Sequence, residues 1–278
     1  MVFYEDLETL FVQSLDHETN DYIPLVPLVS AYFFYLGRKE IFADTGYAVP
    51  IGLGTIVAGA ALYAIGVGQG HRLSGNDYLS LVTLSAVIMW IGGFTFCYGL
   101  RAVKPALFPL LFLLFIVPIP TVALGKIVAV LQESSAEATS ALFGLAGVPV
   151  LREGFVFHLT GISIEVAEAC SGIHSAIALL LTSIVAGKLF LTSAWTRLAL
   201  TLVVFPIAVL KNGLRIVTLT LVGNYIDARI LAGPLHTQGG IPFFLVALTF
   251  LAVVMWLLRR AEAGGQRIDR LGIAPRAS

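Results

Sequence analysis

Residues 198–222 read LALTLVVFPIAVLKNGLRIVTLTLV, and Lys211 and Arg215 are the only charged side chains among these 25 positions. A helix needs about 20 mostly apolar residues to cross the hydrocarbon core of a bilayer. The stretch is long enough and therefore predicts a transmembrane helix. Because charges inside such a helix are costly, the two cations also point to a functional site.

The whole chain has the composition of a membrane protein. Of its 278 residues, 58% are hydrophobic and 12% are charged, and the mean hydropathy is +0.90. Soluble domains are far more polar than this. We expect an all-α polytopic protein in which residues 1–278 form a single membrane domain. Apolar runs between polar or Gly/Pro breaks predict about seven transmembrane helices, at 22–36, 47–68, 78–100, 105–124, 172–192, 198–222 and 240–258.

Charge and cysteine content exclude two other classes. The formal net charge is zero, so the chain offers no basic face for nucleic acid. Cys97 and Cys170 are the only cysteines, which is too few for a disulfide framework. The first residues, MVFYEDLE, lack the basic region of a cleavable signal peptide, so the first helix is expected to direct its own insertion.

Lysine and arginine are distributed unevenly between the predicted loops. If the C-terminus is cytoplasmic, the inner segments hold Arg38, Lys39, Arg101, Lys104, Lys188, Arg197, Arg259, Arg260, Arg267, Arg270 and Arg276. The outer segments then hold Arg72, Lys126, Arg152 and Arg229. Because cytoplasmic loops are enriched in these residues, the pattern predicts an outer N-terminus and a basic cytoplasmic tail at 259–278.

A long outer segment separates the fourth and fifth predicted helices. Apolar residues recur at helical spacing within 126–142, which is typical of a helix lying in the membrane interface. Apolar and more polar residues then alternate over 155–159 and again over 162–166, with Gly161 between the two runs. This alternation predicts a small β-hairpin on the outer face.

Cys170 lies where this outer segment meets the fifth predicted helix, in the sequence EVAEACSGIH of residues 165–174. Backbone N–H groups and the helix dipole at a helix N-terminus favour a thiolate over a thiol. A free cysteine is otherwise usually a small buried apolar residue. His174 follows four residues later, so we expect it on the same helical face, where it either assists the thiolate or only forms a hydrogen bond.

Three polar side chains interrupt the sixth predicted helix. An arginine at the centre of a membrane helix costs about 2.5 to 3.5 kcal/mol on insertion scales, so Arg215 is a functional candidate. Asn212 lies three residues before it and shares its helical face. The alternative is snorkelling or a structural hydrogen bond to a neighbouring helix, and this alternative suits Lys211.

His236 lies in the outer loop that leads into the last predicted helix, within GPLHTQGG. Histidine is the usual proton carrier near neutral pH. Most loop histidines have no such role, but glycine and proline on both sides hold this one close to the membrane. Cys170, Arg215 and His236 come from different helices and are all predicted to face the same leaflet.

These motifs resemble one known family. EAC170SGI, KN212GLR215I and LH236TQGG, in this order, are similar to the motifs of the exosortase/archaeosortase family of membrane cysteine transpeptidases. The likeness covers roughly residues 105–258, including LFLLFIVPIP at 111–120, LQE at 131–133 and GVPV at 147–150. His174 is a departure, because family members commonly have arginine after Cys-Ser-Gly-Ile.

The resemblance implies a site and a reaction. Cys170 would be the nucleophile, Arg215 the conserved basic residue and His236 the acid/base, without a metal or another cofactor. Supporting roles would fall to His174, Asn212, Glu168 and Ser171. The substrates would be exported proteins with a C-terminal sorting signal of the Pro-Glu-Pro kind, a transmembrane helix and a basic tail. Cleavage at the outer face of a prokaryotic inner membrane would pass a thioester to a lipid or polysaccharide acceptor, or to water.

Two other interpretations remain open from the residues themselves. A transporter or channel would use Asn212, Arg215 and His236 as a polar pathway. It would explain charge inside the membrane but not a cysteine at an outer helix terminus. A metal site would use Cys170, His174 and His236, because thiolate and imidazole suit zinc or copper.

Overall fold

The computed structural model describes residues 3–16, 21–159, 162–167, 171–225 and 240–270. The chain divides into two compact units, Met1–Gly125 and Lys126–Ser278, each with its own packing. The helices in chain order are α1 (Tyr4–Asp16), α2 (Leu25–Ile41), α3 (Val49–Gln69), α4 (Gly75–Phe112), α5 (Thr121–Leu145), α6 (Ile173–Phe190), α7 (Ala194–Tyr225) and α8 (Gly240–Arg270). The strands are β1 (Leu151–Glu153), β2 (Val156–Leu159) and β3 (Ile162–Glu165).

The first unit is built on the close pairing of α3 and α4. A methyl group added at Gly52 would lie 2.5 Å from Cα of Phe96, and one at Gly92 would lie 2.8 Å from the backbone nitrogen of Ile56. Only residues without side chains allow two helix backbones to approach this closely. Glycine on both helices therefore sets their separation.

The chain reverses direction inside α4. A straight helix with the 42 residues of Gly75–Ile116 would be about 63 Å long. Yet Asn76 near its start donates to the carbonyl of Ile119, 2.8 Å away. The reversal lies at Gly99, whose φ of 76° suits glycine, and whose Cα lies against the backbone of Gly46. The two predicted helices 78–100 and 105–124 meet at this point.

Five helices are long and apolar enough to cross a membrane: Val49–Gln69, Gly75–Ile116, Ile173–Phe190, Ala194–Tyr225 and Gly240–Gly264. This confirms the prediction of a mainly helical, multi-pass membrane protein. It does not confirm seven crossings, because α2 has only 17 residues and the third and fourth predicted spans both overlap the single candidate span Gly75–Ile116, which is interrupted at Gly99. The seven crossings, the orientation and the single membrane domain stay predictions.

The second unit begins within α5, at Lys126. This helix contains the one predicted over 126–142, and its location in the interface stays a prediction. One face of α5 is buried, and Phe143 on it contacts Phe157 of β2, with ring centroids 5.8 Å apart. Strands β2 and β3 pair antiparallel with Phe157 opposite Ile164, which confirms the predicted hairpin. Strand β1 adds a third strand that sequence analysis missed.

Helices α6, α7 and α8 pack together through a common apolar core. Its buried members are Leu179, Leu191, Leu200, Val204, Ala208, Ala247 and Leu251. At one end of this bundle, the carboxylate of Glu262 on α8 accepts hydrogen bonds from the short loop between α6 and α7. The opposite end of α6 carries the candidate site.

Candidate active site

Helix α6 begins immediately after a left-handed turn. Gly172 has φ 77° and ψ 17°, and the helix starts at Ile173 without a side-chain cap. The start of α6 at Ile173 agrees with the predicted helix N-terminus close after Cys170. The expectation that Cys170 and His174 share a helical face stays a prediction, because Cys170 lies outside the described residues; Gly172, which lies between them, is left-handed and not helical. The structures of Glu168 and Cys170 themselves lie outside the described residues.

The turn before α6 is buried against α7. Ser171 is 1% exposed, and its hydroxyl has no hydrogen-bond partner in the part of the chain that the structure describes. A methyl group at Gly172 would lie 3.1 Å from Cγ and 3.1 Å from Oδ1 of Asn212. The side chain of Asn212 therefore supports the backbone two residues after Cys170.

The polar side chains of α7 face other helices. Lys211 is 5% exposed and donates from Nζ to Oγ of Ser175 on α6, 2.5 Å away. Asn212 is 1% exposed and donates from Nδ2 to Oγ of Ser135 on α5, 3.1 Å away. For Lys211 the snorkelling interpretation is wrong, whereas a hydrogen bond to a neighbouring helix is confirmed. Arg215, one turn further along α7, is partly buried.

Helix α5 supports the same region from another side. Its Gln132 donates from Nε2 to the carbonyl of Val166, 2.7 Å away, and so holds the chain that leads from β3 toward Cys170. A methyl group at Gly213 would lie 3.1 Å from Cβ of Ala138, so α5 and α7 are in close contact. Sequence analysis missed Ser135 and Ser175. For Ser135 a signal existed, since it shares the helical spacing of Gln132 and other buried polar residues of α5.

The structure therefore describes four of the seven predicted site residues. It brings Ser171 and Asn212 to one turn and places His174 at the second position of α6 and Arg215 on α7. His236, like Cys170 and Glu168, lies outside the described residues, so no finding tests whether the predicted triad comes together. Among the described residues, no three His, Cys, Asp or Glu side chains are grouped to hold a metal. The proposed metal ligands include Cys170 and His236, so that alternative is not tested.

Comparison with protein families identifies the family of this chain. The family described as transmembrane exosortase (Exosortase_EpsH) matches residues 13–253. The chain belongs to the transmembrane exosortase family. Comparison with curated proteins and with solved structures gave no match.

Membership of the exosortase family confirms the resemblance found in the motifs. The match begins within α1 and ends within α8, so it includes the first unit as well as the region of the three motifs. In this exosortase, α5, α6 and α7 together hold the turn that follows Cys170. Asn212 contacts both Gly172 and Ser135, so it links α7 to the turn before α6 and to α5.

Proposed function

We propose that this exosortase is a membrane-embedded cysteine transpeptidase that cleaves C-terminal sorting signals of exported proteins. One observation carries the proposal: in this member of the family, side chains of neighbouring helices support the turn that follows Cys170. Asn212 contacts Gly172 directly, and the turn leads into the N-terminus of α6. A nucleophile next to such a supported turn has a defined position for attack.

In the proposed reaction, His236 takes the proton of the Cys170 thiol, and the sulfur attacks the carbonyl carbon of the scissile peptide to form a tetrahedral oxyanion. Arg215 stabilises this oxyanion with its guanidinium donors in a site of low dielectric. The carbon–nitrogen bond then breaks, His236 protonates the departing amine, and a thioester remains on Cys170. An acceptor amine or hydroxyl attacks the thioester and releases the free thiol; if water attacks instead, the outcome is proteolysis.

The supporting residues take roles that follow from their places. Asn212 shapes the turn, since its side chain lies against Gly172. Ser171 offers a buried hydroxyl beside the nucleophile, suited to donate to the oxyanion. His174 at the start of α6 and Glu168 before the turn would adjust the charge around Cys170.

We further propose a single membrane domain with seven crossings, an outer N-terminus and a cytoplasmic tail, in a prokaryotic inner membrane. The reversal of α4 at Gly99 supports two crossings within that element. The active site would face outward. Its partners would be exported proteins with a sorting motif, a transmembrane helix and a basic tail, and a lipid or polysaccharide acceptor.

A processing assay tests the proposal. A co-expressed protein with a C-terminal sorting tail should shift on a gel with the wild type and not with Cys170→Ala or Cys170→Ser. The matched control is Cys97→Ala, since Cys97 is an exposed free cysteine on α4. Mass spectrometry should find a substrate fragment on Cys170. Full processing by Cys170→Ala would remove nucleophilic catalysis from the mechanism.

A further inference from the structure

Two successive hydrogen bonds lead from α7 to the turn before α6. Nζ of Lys211 donates to Oγ of Ser175 over 2.5 Å, and Oγ of Ser175 donates to the carbonyl of Gly172 over 2.9 Å. A serine hydroxyl has a single hydrogen, which the Gly172 carbonyl uses here. Ser175 must therefore accept from Lys211, and the ammonium is the donor at the start of this short chain.

Lys211 occupies an unusual place for a cation. It is 5% exposed, within a helix long and apolar enough to cross a membrane. Within the described ranges no carboxylate forms an ion pair with it, and Arg215 one turn later carries the same charge. Burying an ammonium beside a like charge is unfavourable, so such a residue is normally retained for what it holds or balances.

What Lys211 holds is the turn that follows the proposed nucleophile. Through Ser175 it reaches the carbonyl of Gly172, while its neighbour Asn212 lies against the same glycine. Gly172 is the second residue after Cys170 in the chain. A change at this turn therefore acts close to Cys170 in sequence.

We propose that Lys211 and Ser175 are positioning residues that fix the turn at Ser171 and Gly172, directly after Cys170 in the chain, and bring a positive charge to it. The catalytic meaning of this inference rests on the proposed function, whereas the local constraint on the cysteine does not. Both parts have measurable consequences. Ser175→Ala and Lys211→Met should slow the reaction of the Cys170 thiol and lower kcat for tail processing, with KM nearly unchanged.

The first measurement is the alkylation rate of Cys170 in the full chain, in a Cys97→Ala background so that one thiol remains. Ser175→Ala and Lys211→Met should slow alkylation severalfold, because the turn loosens and the charge is lost or misdirected. Ser175→Thr keeps the hydroxyl and should restore the rate. The matched control is Ser183→Ala, because Ser183 is equally part of α6 and bonds the carbonyl of Leu180 in the same way.

The second measurement is single-turnover processing of a sorting tail by the same variants. Displacing a nucleophile by about 1 Å can cost about 100-fold in rate, so losses of up to this size are expected for Ser175→Ala and Lys211→Met. Alkylation at the wild-type rate in both variants would overturn the inference. If wild type and Cys170→Ala process equally, the transpeptidase proposal fails instead, and the alkylation rates still decide whether Lys211 and Ser175 position the cysteine.

Discussion

The side chain of Asn212 lies against the backbone of Gly172, so close that a Cβ at Gly172 would come within 3.1 Å of its Cγ. Asn212 is part of α7, and Gly172 immediately precedes α6. Gly172 also has a φ of 77°, a conformation that residues with a side chain rarely adopt. The backbone conformation therefore strongly favours glycine at the position two residues after Cys170, and any side chain there would also press on Asn212.

Gly172→Ala should lower both stability and acylation. The left-handed conformation alone costs a residue with a Cβ about 1 to 2 kcal/mol, and Asn212 must also move. Gly154→Ala is the matched control, because Gly154 has φ 61° but nothing within 4 Å of the added methyl group. Gly154→Ala should lose a similar amount of stability in thermal unfolding and keep the wild-type acylation rate. Equal acylation by both variants would show that the Gly172 contact has no part in the site.

The hydrogen bond between Asn212 and Ser135 can be measured by a double-mutant cycle. Coupling between polar side chains of membrane helices averages about 0.6 kcal/mol and reaches about 1.7 kcal/mol, and this fully buried pair should lie within that range. The measurement is unfolding of the variants Asn212→Ala and Ser135→Ala and of the double variant. Asn212→Ala should also reduce acylation, because it removes the support of Gly172, whereas Ser135→Ala should change mainly stability. Zero coupling would contradict the observed bond.

Glu262 provides a change that should affect stability alone. Its carboxylate accepts from the backbone N–H groups of Thr192 and Ser193 and from the hydroxyls of Thr192 and Thr196. Glu262→Gln keeps the shape but faces some of these donors with an NH₂ group, so about 0.5 to 1.5 kcal/mol of stability should be lost at this partly exposed site. Acylation per folded molecule should stay unchanged, because the 18 residues of α6 place this loop about 27 Å from the Gly172 turn. A loss of acylation without loss of stability would overturn that separation.

Hydropathy predicts the membrane helices well because a bilayer demands long apolar runs, and all five candidate helices overlap predicted ones. Alternation of apolar and polar residues predicts the β2–β3 hairpin, because successive side chains of a strand point to opposite faces of the sheet. Strand β1 was missed because the three residues Leu151–Glu153 are too few to show a period. Helix α1 was not predicted, because its 13 residues include four acidic side chains and form no long apolar run.

The candidate site is less predictable from sequence, because hydrogen-bond partners depend on how helices pack. Polar residues inside an apolar helix identified Asn212 and Arg215, but no spacing pairs Asn212 with Ser135 or Lys211 with Ser175. The start of α6 was also not predicted to the residue. A glycine is compatible with a helix, so the sequence alone does not show that Gly172 is left-handed and that α6 begins only at Ile173.

The proposed orientation can be tested by labelling single cysteines in intact cells, in a background without Cys97 and Cys170. Cysteines at the exposed positions His71 and Glu153 should react with a membrane-impermeant maleimide. A cysteine at Arg101, also exposed, should react only after the membrane is permeabilised. The asymmetry of lysine and arginine is the physical reason. Protection of the Glu153 position would place the β-sheet inside and remove the proposed outer site.

Arg215→Lys should impair acylation severely although the charge is kept. A guanidinium presents a planar fork of donors that can hold an oxyanion and a neighbouring carbonyl together, whereas an ammonium is a strongly hydrated point charge. Loss of one preorganised oxyanion donor typically costs about 100-fold to 1,000-fold in rate. The measurement is single-turnover acylation of Cys170, alongside thermal unfolding to confirm an intact fold.

The matched control for this change is Arg197→Lys on the same helix. Arg197 donates from Nε and Nη2 to the carbonyl of Leu191, so it also uses its fork of donors, but at the end of α6 far from the Gly172 turn. Its replacement should lower stability modestly and leave acylation intact. If Arg215→Lys acylates as fast as Arg197→Lys, the guanidinium at position 215 has a structural role. The oxyanion must then be stabilised by other donors, of which the Ser171 hydroxyl and the first N–H groups of α6 lie nearest to Cys170 in the chain.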